Sequence, residues 1–278
     1  LPTDDADAYE QIVGTGGHDF INRVTTHSWS DGGAAAAAAL SWIARDANST
    51  DAQTAERAGR AARVIAAYLA DDQEKLTKAL RGHNPELVAG YSLILSPFQG
   101  ALVADGSGIR GFEPLDDYGD YSRARGIFTV IGSDTAASQA FTATAYQRVE
   151  TYLRDFGAKA ATGDVSGAVK VTYAAALSGI VDGAAHASGN ADIETRNAKQ
   201  AVDFASYVVA DALRPHPGVD LDVTFFSSDG RLVAPDQVAR DDKADYSSQL
   251  QRYLTGRPPV WGVLKDFNTQ FNQGAGIT

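Results

Sequence analysis

The sequence has no cysteine and no methionine, and only five histidines among its 278 residues. Without cysteine there is no disulfide, no thiolate zinc site and no cysteine nucleophile. Without methionine the chain carries no initiator residue. With its opening Leu1-Pro2-Thr3-Asp4-Asp5, that reads as a segment of a longer polypeptide or a processed product. No basic stretch followed by an apolar one opens it, so no signal peptide is expected. Basic residues are also scarce, 24 Lys and Arg against 35 Asp and Glu, for a net charge of −11. A general nucleic-acid or anionic-membrane binder needs positive surface, so both classes are argued against. Long apolar runs are missing too. The best, residues 171–181, lies between Lys170 and Asp182. It falls well short of the roughly 20 residues a membrane-crossing helix needs, so no transmembrane span is expected.

What the chain does have is alanine, 48 residues of it, and a three-four apolar rhythm. Alanine is the best helix former and lets helices approach closely. Residues 26–46 concentrate the pattern: a polar turn with capping residues, six consecutive alanines, and Trp29 and Trp42 on either side. Both tryptophans are expected to be buried by neighbouring helices. Helices are predicted near 4–13, 18–26, 31–49, 51–69, 72–81, 85–103 (kinked or ended early by Pro97), 122–131, 133–161, 164–188 and 191–213, with two more near 236–254 and 261–272. Residues 214–218, Arg-Pro-His-Pro-Gly, break the helical run. Beyond them residues 219–226 alternate apolar with polar, residues 227–230 make a turn, and residues 231–233 return, which reads as a small β-hairpin over 219–233. The expected architecture is all-α: packed antiparallel helices over 1–213, then the hairpin and C-terminal helices over 214–278, packed together as one unit.

Few constellations carry chemistry. The glycine turn at Gly14, Gly16 and Gly17 could hold an anion at a helix start, but the strand and spacing of a dinucleotide fingerprint are absent, and an ordinary turn is the plainer reading. His18, Asp19, His27 and Asp31 combine imidazole with carboxylate. The two histidines are too far apart in sequence to share one helix face, and a capping Asp31 with His27 beside Trp29 explains the same residues. The 105–120 loop gathers Asp105, Glu113, Asp116, Asp117 and Asp120 without an EF-hand register, and Ile109, Phe112 and Leu115 could pack it instead. Asp220, Asp222 and Asp229 read as a solvated hairpin face. Arg57, Arg60 and Arg63 form a ladder on one helix that could meet phosphate or an acidic partner, but with Glu56 beside it and the chain acidic overall a solvated face is the plainer reading. With Arg110 and Phe112 of the loop, they are the candidate surface or interaction residues. No catalytic residue, cofactor or metal site is read from the sequence.

The stretch from His27 to Ile43, with Trp29, Asp31, the alanine run and Trp42, resembles a segment of an actinobacterial group labelled "TPR repeat region" proteins, linked to WXG100-type (type VII, ESX) secretion. Three more segments fit: Asn84-Pro85-Glu86-Leu87 opening a helix, the loop from Gly108 to Leu115, and a long helix from Phe141 to Phe156 with Ala145, Tyr146 and Gln147. The resemblance covers residues 3–213 and carries no catalytic residue across. It implies a helical scaffold or protein-interaction module of a larger, exported or envelope-associated polypeptide with a protein partner. Tyr-x-x-x-acid, the export signal of such substrates, occurs at Tyr68–Asp72, Tyr146–Glu150 and Tyr207–Asp211, about twice what composition alone gives, an excess too small to decide anything. Two alternatives stand beside this: a carboxylate-based hydrolase or toxin acting on cell wall, marked by two facing acids in a deep cleft, and a membrane-perturbing effector using the Gly/Ala-rich helix at 165–188. An apolar or concave face, not a polar pocket, is expected to be the main surface feature.

Overall fold

The computed structural model describes residues 1–117 and 119–277; Tyr118, inside the expected 105–120 loop, and Thr278 lie outside the described residues. The chain is mostly helical, and two compact units are interleaved along it. One comprises Leu1–Tyr146, Ile180–Thr195 and Gln273–Thr278; the other comprises Gln147–Gly179 and Arg196–Asn272. The 213/214 boundary falls inside the second unit.

In the first unit, α1 (Asp5–Val13) begins where the Asp4 carboxylate accepts from the Ala6 and Asp7 N–H groups. α2 (Gly17–Thr26) follows a glycine turn so close that a Cβ on Gly17 would sit 1.9 Å from the Ile12 carbonyl oxygen. The alanine run forms α3 (Ala34–Leu40), separated from α4 (Trp42–Asp46) at Ser41, whose hydroxyl donates back to the Ala38 carbonyl. The Asp51 carboxylate caps α5 (Ala52–Asp71) through the Thr54 N–H. α6 (Gln73–Leu80) and α7 (Pro85–Leu95) follow, the latter with Pro85 in its first turn. Pro97 ends α7 as expected, and two 3-10 turns, Ser96–Phe98 and Ala101–Val103, lead into the loop before α8 (Ser122–Ile131).

α5 is the hub: α1, α2, α4, α7 and α8 all pack on it. Its buried face is made of small residues, Ala55, Ala58, Gly59, Ala61, Ala62 and Ala66, with Ile65 and Leu69. Small residues let backbones approach, and the same device recurs where Gly90 of α7 faces Ala37 of α3. Trp42 is 2 % exposed, as the packing of α4 on α5 and α7 requires. Trp29 is only half-buried, its indole Nε1 donating to the Val24 carbonyl at 2.9 Å.

α9 (Thr135–Ala160) and α10 (Ala168–Ser188) contribute residues to both units. The second unit adds α11 (Ala198–Ala212), α12 (Lys243–Thr255), α13 (Pro258–Leu264) and most of α14 (Phe267–Ala275). The helix expected from Ala191 begins at Ala198 instead. Asn197 and Gln200 form a capping box there, each side chain bonding the other's backbone N–H, and this fixes the start. Gly157 of α9 meets Ala212 of α11 so closely that an added Cβ would lie 2.6 Å from the Ala212 Cβ.

The expected β-hairpin over 219–233 does not form. Among the described residues there is no strand, only isolated bridges pairing Pro217 with Leu221 and Phe226 with Leu232. The aspartates assigned to a solvated strand face bond the backbone instead. Asp220 accepts from the His216 N–H, and Asp222 accepts from Thr224 at the start of a 3-10 turn, Val223–Phe225. Such local side-chain bonds compete with ladder pairing. A strand would put residues 219, 221, 223 and 225 on one face. Here Leu221 and Phe225 are buried, while Val219 is 82 % and Val223 60 % exposed. Phe225 packs edge-on to Tyr246 at 4.9 Å, and the Tyr246 hydroxyl donates to the Val233 carbonyl.

Candidate functional site

The arginine ladder of α5 is joined by the loop, and two glycines make this possible. At Gly59 an added Cβ would lie 1.8 Å from the Arg110 carbonyl oxygen; at Gly111, with φ +73°, it would lie 2.2 Å from the Glu56 carbonyl oxygen. The loop backbone therefore rests directly on the helix backbone. Arg63 secures it by donating from Nε to the Glu113 carbonyl at 3.1 Å. Phe112 points inward, 5 % exposed and stacked on Phe98 at 5.2 Å. It is a core anchor and not a surface contact. Arg110 is left exposed beside the ladder. The Arg57 guanidinium lies over the rings of Tyr9 at 5.0 Å and Trp42 at 5.8 Å, and Arg60 pairs with Glu56. Arg110 has no side-chain partner among the described residues. The five sequence candidates thus meet where the loop crosses α5: Arg57, Arg60 and Arg63 have partners there, Arg110 has none among the described residues, and Phe112 anchors the loop.

The carboxylates of the loop serve its architecture. Asp116 accepts from the Arg123 and Ala124 N–H groups at the start of α8, and burial raises its pKa against those bonds. Asp120 accepts from the Ser122 N–H, which with the Ser122 hydroxyl lowers its pKa. Asp31 accepts from the Gly33 and Ala35 N–H groups, the expected capping role, and these bonds lower its pKa. His18 packs edge-on to Tyr68, and His27 edge-on to Trp29. Among the described residues no group of three or more His, Asp or Glu is placed to hold a metal ion, and no helix is long and apolar enough to cross a membrane.

Asp211 is among the most enclosed ion-paired acids of the described residues, its side chain 7 % exposed. It accepts from Arg231 at 2.8 Å, Arg154 at 3.1 Å and the Leu232 N–H at 3.2 Å. It ties α11 to α9 and to the turn that replaces the hairpin, so the acid of the Tyr207–Asp211 pair is committed to structure. Burial pushes its pKa up, but the two guanidinium bonds outweigh this and leave it lowered. A lowered folded-state pKa adds stability above the unfolded value, near 4, and that stability is lost as pH falls through the folded value. Asp211→Asn is expected to cost about 2 kcal/mol at neutral pH; both arginines are partly exposed and can turn to water, which keeps the figure below that of a fully buried pair. Urea unfolding at pH 7 and pH 3 measures it: the gap between wild type and variant should narrow in acid.

Two open concavities mark the first unit. One, about 520 Å³, is polar, lined by Asp71, Asp72, Gln73, Glu74, Lys75 and Lys78. Its charges are largely spent, since Lys78 pairs with Glu74 and Arg123 with Asp71. An apolar or concave face, not a polar pocket, is the expected main surface feature, and of these two concavities the larger is polar. The other, about 320 Å³, is lined by Leu1, Gln11, Phe20, Arg23, Val24, His27 and Trp29. Sequence reasoning singled out His27 and Trp29 but not Arg23, because the turn that brings them together is set by Asn84, far away in the chain. Asn84, left-handed at φ 48°, donates to the His27 carbonyl at 2.6 Å and accepts from the Trp29 N–H at 3.2 Å.

Comparison with family models, with curated proteins and with solved structures finds no match to this chain.

Proposed function

We propose that this chain is a non-enzymatic helical interaction module of a larger, type VII secretion-associated polypeptide, and that it meets an acidic protein segment through Arg57, Arg60 and Arg110. The observation that carries the reading is the loop crossing at Gly59 and Gly111, which lays the backbone of Arg110 against the helix that bears the arginine ladder. A local cationic surface on a chain of net charge −11 is selective for acidic partners, because the rest of the molecule repels them. The resemblance of residues 3–213 supports the secretion setting, and its most specific segments pack on one another. The Leu87 N–H donates to the Gly32 carbonyl at 3.2 Å, and Asn84 pins residues 27 and 29.

The test is fluorescence anisotropy with a labelled oligo-glutamate peptide. Binding is expected at low salt and should fade as ionic strength rises. The double reversal Arg60→Glu with Arg110→Glu should weaken it about tenfold or more. Both residues are exposed, so the melting temperature should hardly move. Wild-type protein that ignores the peptide, or a double variant that binds it equally well, would sink the proposal.

A further inference from the structure

The concavity beside Trp29 has the parts of a ligand site. Its floor is Phe20 and Val24 of α2, both buried, and its wall is the Trp29 indole. That wall is fixed before any ligand arrives. Trp29 Nε1 donates to the Val24 carbonyl, the Trp29 N–H donates to Asn84, and the His27 ring sits edge-on at 4.6 Å. A preorganised apolar wall avoids the ordering cost that weakens small-molecule binding.

Not every arginine of the chain is open to a ligand. Arg45, Arg60, Arg123, Arg154 and Arg231 each hold a carboxylate. The Arg23 guanidinium has neither a hydrogen-bond nor an ion-pair partner among the described residues, and the imidazole nitrogens of His27 have none either. Both stand exposed at the mouth of the cavity. Across the cavity Gln11 is already turned, its Nε2 donating to Asp7 at 2.9 Å. An open guanidinium beside an aromatic wall recognises a carboxylate on an apolar body. The fork takes both oxygens, and the wall takes a ring or branched chain. A volume near 320 Å³ lies at the small end of ligand pockets.

We propose that this concavity binds a small carboxylate carrying an aromatic or branched apolar group, with Arg23 as the anion contact and Trp29 as the apolar contact. None of its residues belongs to the arginine surface on α5, so it stands or falls separately from the interaction proposal. Such a ligand has two sources, a free organic acid or the C-terminal residue of a peptide.

The test is a two-dimensional NMR titration of the ¹⁵N-labelled chain with phenylacetate, with its neutral counterpart 2-phenylethanol, and with acetyl-Ala-Phe bearing a free or an amidated C-terminus. Saturable shifts confined to residues lining the cavity are expected with the carboxylates, at an affinity of about 1 mM or tighter. The alcohol and the amidated peptide should bind about tenfold more weakly or worse. Arg23→Gln, at an exposed position, should keep the spectrum elsewhere and lose a similar factor. Tighter binding of the free-terminus peptide than of phenylacetate assigns the site to peptide ends, and the reverse order assigns it to free acids. Absence of saturable shifts with both carboxylates overturns the proposal, as does equal affinity for the neutral alcohol or an Arg23→Gln variant that binds like wild type.

Discussion

Gly59→Ala is expected to lower the unfolding free energy by about 2–3 kcal/mol, although in an unobstructed helix the same change should raise it. Glycine in a helix interior is about 1 kcal/mol less favourable than alanine, so propensity alone predicts a gain. At Gly59 the added methyl would lie 1.8 Å from the Arg110 carbonyl oxygen and 2.9 Å from the Phe112 N. Both are backbone atoms of a loop held by Arg63 and by the Phe112–Phe98 stack, so neither can swing aside. Overpacking of this kind costs about 1–3 kcal/mol before the loop lifts away, and lifting it exposes Phe112. Gly262 of α13 provides the contrast, since nothing lies within 4 Å of its would-be Cβ. Gly262→Ala should stabilise by up to about 1 kcal/mol. Urea midpoints for the two variants should therefore move in opposite directions. A stabilised Gly59→Ala protein would show that the loop does not rest on α5, and would remove the support for Arg110 joining the ladder.

Trp42→Ala should be the most damaging single change, costing about 3–5 kcal/mol. The side chain is nearly completely enclosed beneath Tyr9 and the Arg57 guanidinium, and α4 is too short to hold its place without it. Trp42→Phe should be far milder, about 1 kcal/mol. The lost area is partly offset because the buried Trp42 Nε1 has no hydrogen-bond partner among the described residues, and removing it relieves a desolvation cost. Trp29 reverses the logic: its Nε1 has a partner, so Trp29→Phe leaves the Val24 carbonyl without its donor. Chemical unfolding of the three variants tests this. Equal losses for Trp42→Phe and Trp42→Ala would mean that the indole N–H of Trp42 makes a stabilising contact after all.

Alanine content and three-four periodicity determined by themselves that this chain is helical, because helix formation is local. The capping chemistry at Asp4, Asp51 and Pro85 was legible for the same reason. Asn197 with Gln200 was equally local and marks where α11 starts, although the apolar rhythm pointed to Ala191. The alternation over 219–226 was legible but misleading. A strand needs a partner ladder, and Asp220 and Asp222 bond the backbone of their own turns instead. Only the tertiary structure decided which charges are free. The ladder of Arg57, Arg60 and Arg63 is visible in sequence, but the backbone of Arg110 comes against it through a glycine-to-glycine crossing some fifty residues apart, and Arg23 is singled out only by the concavity that it lines. Pairing, burial and concavity depend on long-range contacts, and the composition of a segment does not encode which distant backbone will lie against it.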